Sequence, residues 1–334
     1  MTDKKTSRKV CVIGGGRWGQ NHIRTLYEMG NLYGIVDSDL SRLTELSRKY
    51  PEAKAYTSVE SAIEDGYHGY VIATPAETHF SIGSFLLNRN QNVLIEKPLA
   101  LSSADSVKLI ELAQESGSRL MVGHVLLFHP AILKIKEAID GGFIGNLLYM
   151  YSNRLNLGTV RTEENVFWSF APHDISVFNF LIGKSPVFMH ASGGCFLQKE
   201  IHDSVIAFFA YPDNIKGHIF VSWLHPYKEQ KLVVIGSEGM LTFEDSSPEK
   251  RVLYHKKGIA WVNGKPVKRE EAEEIIPYDM SSPLENELKY FIEHLDMEIE
   301  ISDGRSAHEV VRILEQASRC LTLENDMNRE AAVC

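Results

Sequence analysis

The apolar run Val10-Cys11-Val12-Ile13 ends in Gly14-Gly15-Gly16-Arg17-Trp18-Gly19, and a helical pattern over 20–29 follows at once. Glycines spaced G-x-G-x-x-G between a short strand and a helix leave few folds open. Gly14 permits a tight turn, Gly16 lets the backbone approach a pyrophosphate, and Gly19 allows close packing of helix on strand. The helix N-terminus then faces the phosphates, with Gly30 as its C-cap. Leu32-Tyr33-Gly34-Ile35-Val36 reads as the second strand and places Asp37 at its end. A carboxylate there accepts hydrogen bonds from the adenosine ribose and repels a 2′-phosphate, which favours NAD. Arg42, on the next helix, leaves NADP open.

The alternation continues through a helix over 41–50 stopped before Pro51, a strand over 69–73, a helix around 80–88, a strand at Val93, a helix over 104–116 and a strand over 120–123. This pattern predicts a parallel sheet covered by helices. A chain of 334 residues exceeds the size at which one core keeps growing, so a second domain is expected. A helix from Pro130 to about Asp140 stops at Gly141-Gly142, and strands then predominate, over 204–211, 215–223, 231–235 and 240–243. The expected fold is α/β: a doubly wound Rossmann domain over 1–125, then an α+β domain over 126–334 with a large, mostly antiparallel open sheet. A terminal helix over about 304–323 carries Val310, Ile313, Leu314, Ala317 and Leu321 on one stripe, and the tail after Asn325 reads as loose.

Lys plus Arg number 35 against 44 Asp plus Glu, and the formal charge of −9 opposes general affinity for nucleic acid or an anionic membrane. The first nine residues lack the apolar stretch of a signal peptide, and no apolar run has the length of a membrane span. Cys11, Cys195, Cys320 and Cys334 are scattered without C-x-x-C spacing, as expected of reduced thiols in a cytoplasmic protein. His22, His124 and His129 show no zinc spacing, so no metal is expected.

Three further segments carry chemistry. Glu96-Lys97-Pro98 closes the strand Asn92-Val93-Leu94-Ile95, and a lysine at the carboxyl end of a buried strand points into the crevice where such sheets bind ligands. There it can polarise a hydroxyl undergoing oxidation. His173 lies in Trp168-Ser169-Phe170-Ala171-Pro172-His173-Asp174-Ile175, ahead of an apolar helix that ends at Leu181-Ile182-Gly183. A histidine titrates near neutrality and can serve as general base. Asn153-Arg154-Leu155-Asn156-Leu157-Gly158-Thr159-Val160-Arg161 is a polar segment whose arginines, Arg154 and Arg161, suit a diphosphate or else a salt-bridged sheet surface.

Gly14-x-Gly16-x-x-Gly19, Ala73-Thr74-Pro75-Ala76-Glu77-Thr78-His79, Glu96-Lys97-Pro98, His173 and Gly236-Ser237-Glu238-Gly239 together resemble the glucose-fructose oxidoreductase, inositol dehydrogenase and MocA family, Gfo/Idh/MocA, over nearly the whole chain. The resemblance implies an NAD enzyme with Lys97 and His173 as catalytic groups, the base being either one. It implies cofactor contacts from Gly14, Gly16, Arg17, Trp18, Gly19, Asp37, Thr74, Pro75, Glu96 and Lys97. His79 is either a further contact or a packing residue. Substrate contacts are expected from Lys97, His124, Arg154, Asn156, Arg161, Asn165 and His173. Ser169 stands where the family commonly has a carboxylate, four residues before the histidine.

Gly16-Arg17-Trp18-Gly19-Gln20-Asn21, Asn153-Arg154-Leu155-Asn156-Leu157-Gly158 and Ala171-Pro172-His173-Asp174 together are similar to the branch that acts on nucleotide sugars. That likeness implies oxidation of the C3 hydroxyl of UDP-N-acetylglucosamine, with a downstream aminotransferase making a 3-amino sugar for lipid A or surface polysaccharide. UDP-N-acetylglucosaminuronate, a free polyol or inositol are the alternative substrates, and an NAD-sensing or scaffold protein is the non-enzymatic one. The family resemblance also implies a homo-oligomer, dimer or tetramer, formed by the open sheet face over 204–243, and a terminal helix that packs toward the first domain.

Overall fold

The computed structural model describes the backbone of residues 8–331 and side chains to Glu324. The chain forms two compact units, one running to Phe128 and including Ser281–Val311, the other comprising His129–Met280 and the chain from Arg312 on.

In the first unit the strands are β1 (Val10–Ile13), β2 (Leu32–Val36), β3 (Lys54–Tyr56), β4 (Gly69–Ile72), β5 (Val93–Glu96) and β6 (Leu120–Gly123). They lie side by side in the order 3-2-1-4-5-6, every pair parallel. β1, β4, β5 and β6 are buried at every residue, as expected of strands covered on both faces. The covering helices are α1 (Gly19–Glu28), α2 (Leu40–Lys49), α3 (Val59–Ile63), α4 (His79–Leu87) and α5 (Ser103–Ser116).

The expected single cut at residue 125 is not how the chain divides. After α6 (Pro130–Asp140) and α7 (Val166–Ile182) in the second unit, α8 (Pro283–Glu293) returns to the first. It does so because its apolar stripe, Leu288 and Phe291 with Leu295 beyond it, is buried there. A Cβ at Gly69, where β4 starts, would stand 2.9 Å from both Phe291 and Leu295, so any larger residue would push these side chains aside. Further on, Ser302 exchanges hydrogen bonds with Val122 of β6 (Val122 N–H to Ser302 O, 2.8 Å; Ser302 Oγ to Val122 O, 2.6 Å).

The second unit holds β7 (Leu147–Leu155), β8 (Phe188–Gly194), β9 (Ser204–Ala210), β10 (Lys216–Ser222), β11 (Glu229–Gly236), β12 (Met240–Glu244), β13 (Val252–His255), the hairpin β14 (Lys257–Val262) and β15 (Lys265–Glu270), and β16 (Glu274–Ile276). Eight of these strands form one sheet in the order 16-13-12-11-7-10-9-8, antiparallel except for β7 beside β10. α7 packs on β7, β9 and β10, covering one face. The last helix, α9 (Gly304–Ala331), extends beyond the expected end near 323, so the backbone after Asn325 continues as helix. Residues to Val311 group with the first unit and the remainder with the second.

Candidate active site

The glycine turn has the geometry its spacing requires. Gly14 has φ +96°, and a Cβ at Gly19 would lie 1.8 Å from the Gly14 carbonyl oxygen, so helix and strand touch backbone to backbone. A Cβ at Gly16 would meet no protein atom within 4 Å. Space of that kind, at the first turn of α1, fits a pyrophosphate held by backbone N–H groups. Arg17 beside it is exposed, as is the Trp18 ring.

Asp37 is buried at the end of β2 and fully engaged. Oδ2 accepts from the Gly15 N–H (2.7 Å) and Oδ1 from the Asp39 N–H (2.8 Å), while Arg42 Nη1 reaches both oxygens at 3.0 Å. Burial alone would raise the carboxyl's pKa; the Asp39 N–H, Arg42 and the Gly15 N–H outweigh it and hold the group below its ordinary value. A carboxylate has about four lone-pair sites, so the ribose hydroxyls bind only if Arg42 turns away. Arg42 has the freedom, its side chain being 40% exposed.

The end of β5 is built more tightly. Glu96 is buried, and its Oε1 accepts from the Trp18 indole Nε1 and from His22 Nε2 (2.6 Å), while Oε2 accepts from the Lys97 backbone N–H (3.2 Å). Against an ionised carboxylate the His22 nitrogen must be the donor. Burial opposes this charge, yet His22, Trp18 and Lys97 together hold Glu96 below its usual pKa. A Cβ at Gly123 would come within 2.9 Å of the carboxyl carbon, so the end of β6 leaves room for Glu96 and nothing more. One carboxylate thus ties the glycine turn and α1 to the strand end that carries half-buried Lys97. The Lys97–Pro98 peptide is cis.

His79 and His124, expected as ligand contacts, lie beneath this surface. His79 is buried with Nδ1 2.8 Å from the Pro98 carbonyl and Nε2 2.9 Å from the Thr74 carbonyl, bracing the two strand ends. His124 is buried with neither ring nitrogen hydrogen-bonded, and burial pushes its pKa down to about 4, so it is neutral. Thr74 Oγ1 bonds Thr78 Oγ1 (2.6 Å), fixing the turn at Thr74-Pro75, and Pro75 is exposed.

In the second unit His173 lies inside α7, not ahead of it, with Pro172 in the helix beside it. Arg154 on β7 is not free for a diphosphate: its fork holds Asp174 (Nε to Oδ2 2.7 Å; Nη2 to Oδ1 3.2 Å), and Ser152 Oγ donates to the same carboxylate. This pair is largely buried, with 13% and 7% of the side chains exposed, and it fixes α7 next to His173. Asn165 caps α7, its Oδ1 accepting from the Phe167 and Trp168 N–H groups at 3.0 and 3.1 Å, so its carbonyl is likewise committed. Arg161 is exposed and Asn156 half-buried on the stretch between β7 and α7. Among the described residues no three His, Cys, Asp or Glu side chains gather as metal ligands, and no helix is long and apolar enough to cross a membrane.

Sequence reasoning missed His22 and Gly123, which shape the Glu96 junction, and Glu287, a buried acid that feels the Glu96 charge. His22 and Glu287 both sit on apolar helical stripes, with Ile23 and Leu26 and with Leu288 and Phe291 respectively. A polar residue on a stripe that becomes core was the available signal.

A parallel sheet in this order, with an open glycine turn and an acid at the end of β2, defines a dinucleotide-dependent protein. The chain belongs to the Gfo/Idh/MocA oxidoreductase family: residues 8–124 match its NAD-binding Rossmann fold and residues 132–242 its C-terminal domain. It is similar to the UDP-N-acetylglucosamine 3-dehydrogenase of Acidithiobacillus ferrooxidans, 30% identical over 186 residues, which is 55% of this chain and 58% of that enzyme. It is also similar to the myo-inositol 2-dehydrogenase of Thermotoga maritima, 27% identical over 259 residues, covering 73% of this chain and 77% of that enzyme. A solved structure of the Acidithiobacillus enzyme superposes with a TM-score of 0.82 at 23% identity, covering 94% of this chain and 97% of that one, a likeness of fold.

Proposed function

We propose that the protein oxidises the C3 hydroxyl of UDP-N-acetylglucosamine with NAD, giving the 3-keto nucleotide sugar. The observation that carries an oxidoreductase reading is the Glu96 junction, which fixes Lys97 relative to the glycine turn. Bound NAD supplies the hydride acceptor, and the residues that would hold it are Gly14 to Gly19, Asp37 and the Thr74-Pro75 turn. His173 takes the hydroxyl proton as the C3–O bond becomes a carbonyl and the C3 hydrogen leaves with its electron pair. Lys97 stabilises the negative charge that develops on the oxygen. The Asp174–Arg154 pair serves as a positioning element for His173, and Arg161 is the arginine left to meet a diphosphate.

The nucleotide-sugar reading is supported by the Acidithiobacillus relative, and the product ketone suits amination by a separate aminotransferase. Inositol is the second reading, favoured by the longer alignment to the Thermotoga enzyme. The test is to follow NADH absorbance with each substrate. Turnover of UDP-N-acetylglucosamine, with NMR placing the new carbonyl at C3, supports the first reading; turnover of inositol alone defeats it.

The uncovered face of the large sheet also supports pairing with a second copy. His190, Phe208, His218 and Tyr151 lie in one register row across β8, β9, β10 and β7, and the His218 and Tyr151 rings stack 5.1 Å apart. Phe188 and Phe208 are 60% and 50% exposed there, two aromatic rings that a second copy would cover. Phe208→Glu is expected to shift sedimentation toward the monomer. An unchanged sedimentation coefficient would remove this face from the assembly.

A further inference from the structure

Glu287 is the least explained group in the first unit. It is completely buried on α8, and neither carboxyl oxygen has a hydrogen-bond partner. α8 packs against α1 and the short turn Val125–Phe128 that follows His124. The ionisable group whose charge it feels is Glu96 at the end of β5, and Glu96 in turn is tied to His22 of α1, to Lys97 and to His124 after β6, while the 125–128 turn carries none. On α8 itself Glu285, Lys289 and Glu293 are exposed. The charge of Glu96 reaches Glu287 and His124, and that of Lys97 reaches His124.

The donors in this cluster are unevenly shared. Glu96 takes Trp18 Nε1, His22 Nε2 and the Lys97 N–H. Glu287 takes none, and burying an ion without partners costs far more than burying the neutral acid. Two carboxyl groups with one set of donors do not both ionise at neutral pH. Burial first, and the Glu96 charge second, push Glu287 well above its ordinary range.

We propose that Glu287 is a positioning residue that works as an uncharged acid, leaving Glu96 the lone anion of the cluster, so that Glu96 keeps its hold on Trp18, His22 and the Lys97 backbone. When Glu287 gives up its proton, a second buried anion competes for His22 and the junction between the glycine turn and Lys97 loosens. The inference builds on the reading of Lys97 and the glycine turn as the working parts of the site.

The direct test is infrared spectroscopy of the full-length protein. A protonated carboxylic acid C=O stretch at neutral pH, lost in Glu287→Gln, is the expected result. Its absence from the wild type would overturn the proposal. NAD affinity, measured by calorimetry, gives the functional readout: the wild-type Kd should rise about threefold or more as the pH is raised from neutrality, and Glu287→Gln and Glu287→Leu should both lose this rise. An alkaline rise unchanged in both variants would also sink the idea. Calorimetry does not depend on turnover, so a failure of Lys97 as the catalytic group, seen as activity kept in Lys97→Met, leaves this result readable.

Discussion

Asp174 and Glu287 are both buried carboxyls on helices, and they are treated in opposite ways. Asp174 on α7 meets Arg154 and Ser152, so its charge is matched in place. Glu287 on α8 meets no donor, so its charge is suppressed. The first arrangement fixes a backbone next to His173; the second makes the Glu96 junction sensitive to a proton. A buried acid therefore marks rigidity in one unit and a titratable device in the other.

The comparison breaks most visibly at Asp174. Asp174→Ala strands a buried guanidinium and is expected to cost about 3–5 kcal/mol in denaturant unfolding of the second unit. A loss below about 1 kcal/mol would mean that the pair is solvated like a surface bridge.

Glu287→Gln should act with the opposite sign. The folded acid has a pKa above its unfolded value near 4.3, so the wild type is stabilised below that value and loses stability as pH rises toward the folded pKa. The glutamine variant lacks this loss. Its advantage should grow by about 1.4 kcal/mol per pH unit across that window, read from unfolding midpoints at several pH values. A pH-independent difference would show that Glu287 is ionised in the fold or that its environment is unchanged by folding.

The smallest effect is at Arg42. Removing it from Asp37 frees two acceptor sites for the ribose, and Arg42→Ala should tighten NAD by no more than about fivefold, under 1 kcal/mol, while weakening NADP. Weaker NAD binding in this variant would assign Arg42 to the cofactor instead.

The first unit was legible where local chemistry decides structure. Gly14 and Gly19 announce a turn that only glycine makes, Gly14 by its positive φ and Gly19 by its backbone contact, and Leu32–Val36 and Leu120–Gly123 stand as read. β3, with the short sequence Lys-Ala-Tyr, carries too few apolar residues to show a period. The hairpin of β14 and β15 turns at Asn263-Gly264, both at positive φ, a two-residue signal that was available and passed over. The return of α8 was invisible because its cause is a contact with Gly69, more than two hundred residues away in sequence. The same limit governs the site. A strand end is enough to point to Lys97 and Glu96 as candidates, but the partners of Arg154 and of Asn165, the Asp174 carboxylate and the N-terminus of α7, are set by packing and leave no mark in the sequence.

The most direct test of the central claim is turnover by Lys97→Met at saturating NAD and sugar, with fold verified by circular dichroism and NAD affinity by calorimetry. A positioned charge that stabilises only the transition state predicts a fall in kcat of about a hundredfold or more, with the Kd for NAD changed by less than about twofold. Near wild-type kcat in a correctly folded variant would contradict the account.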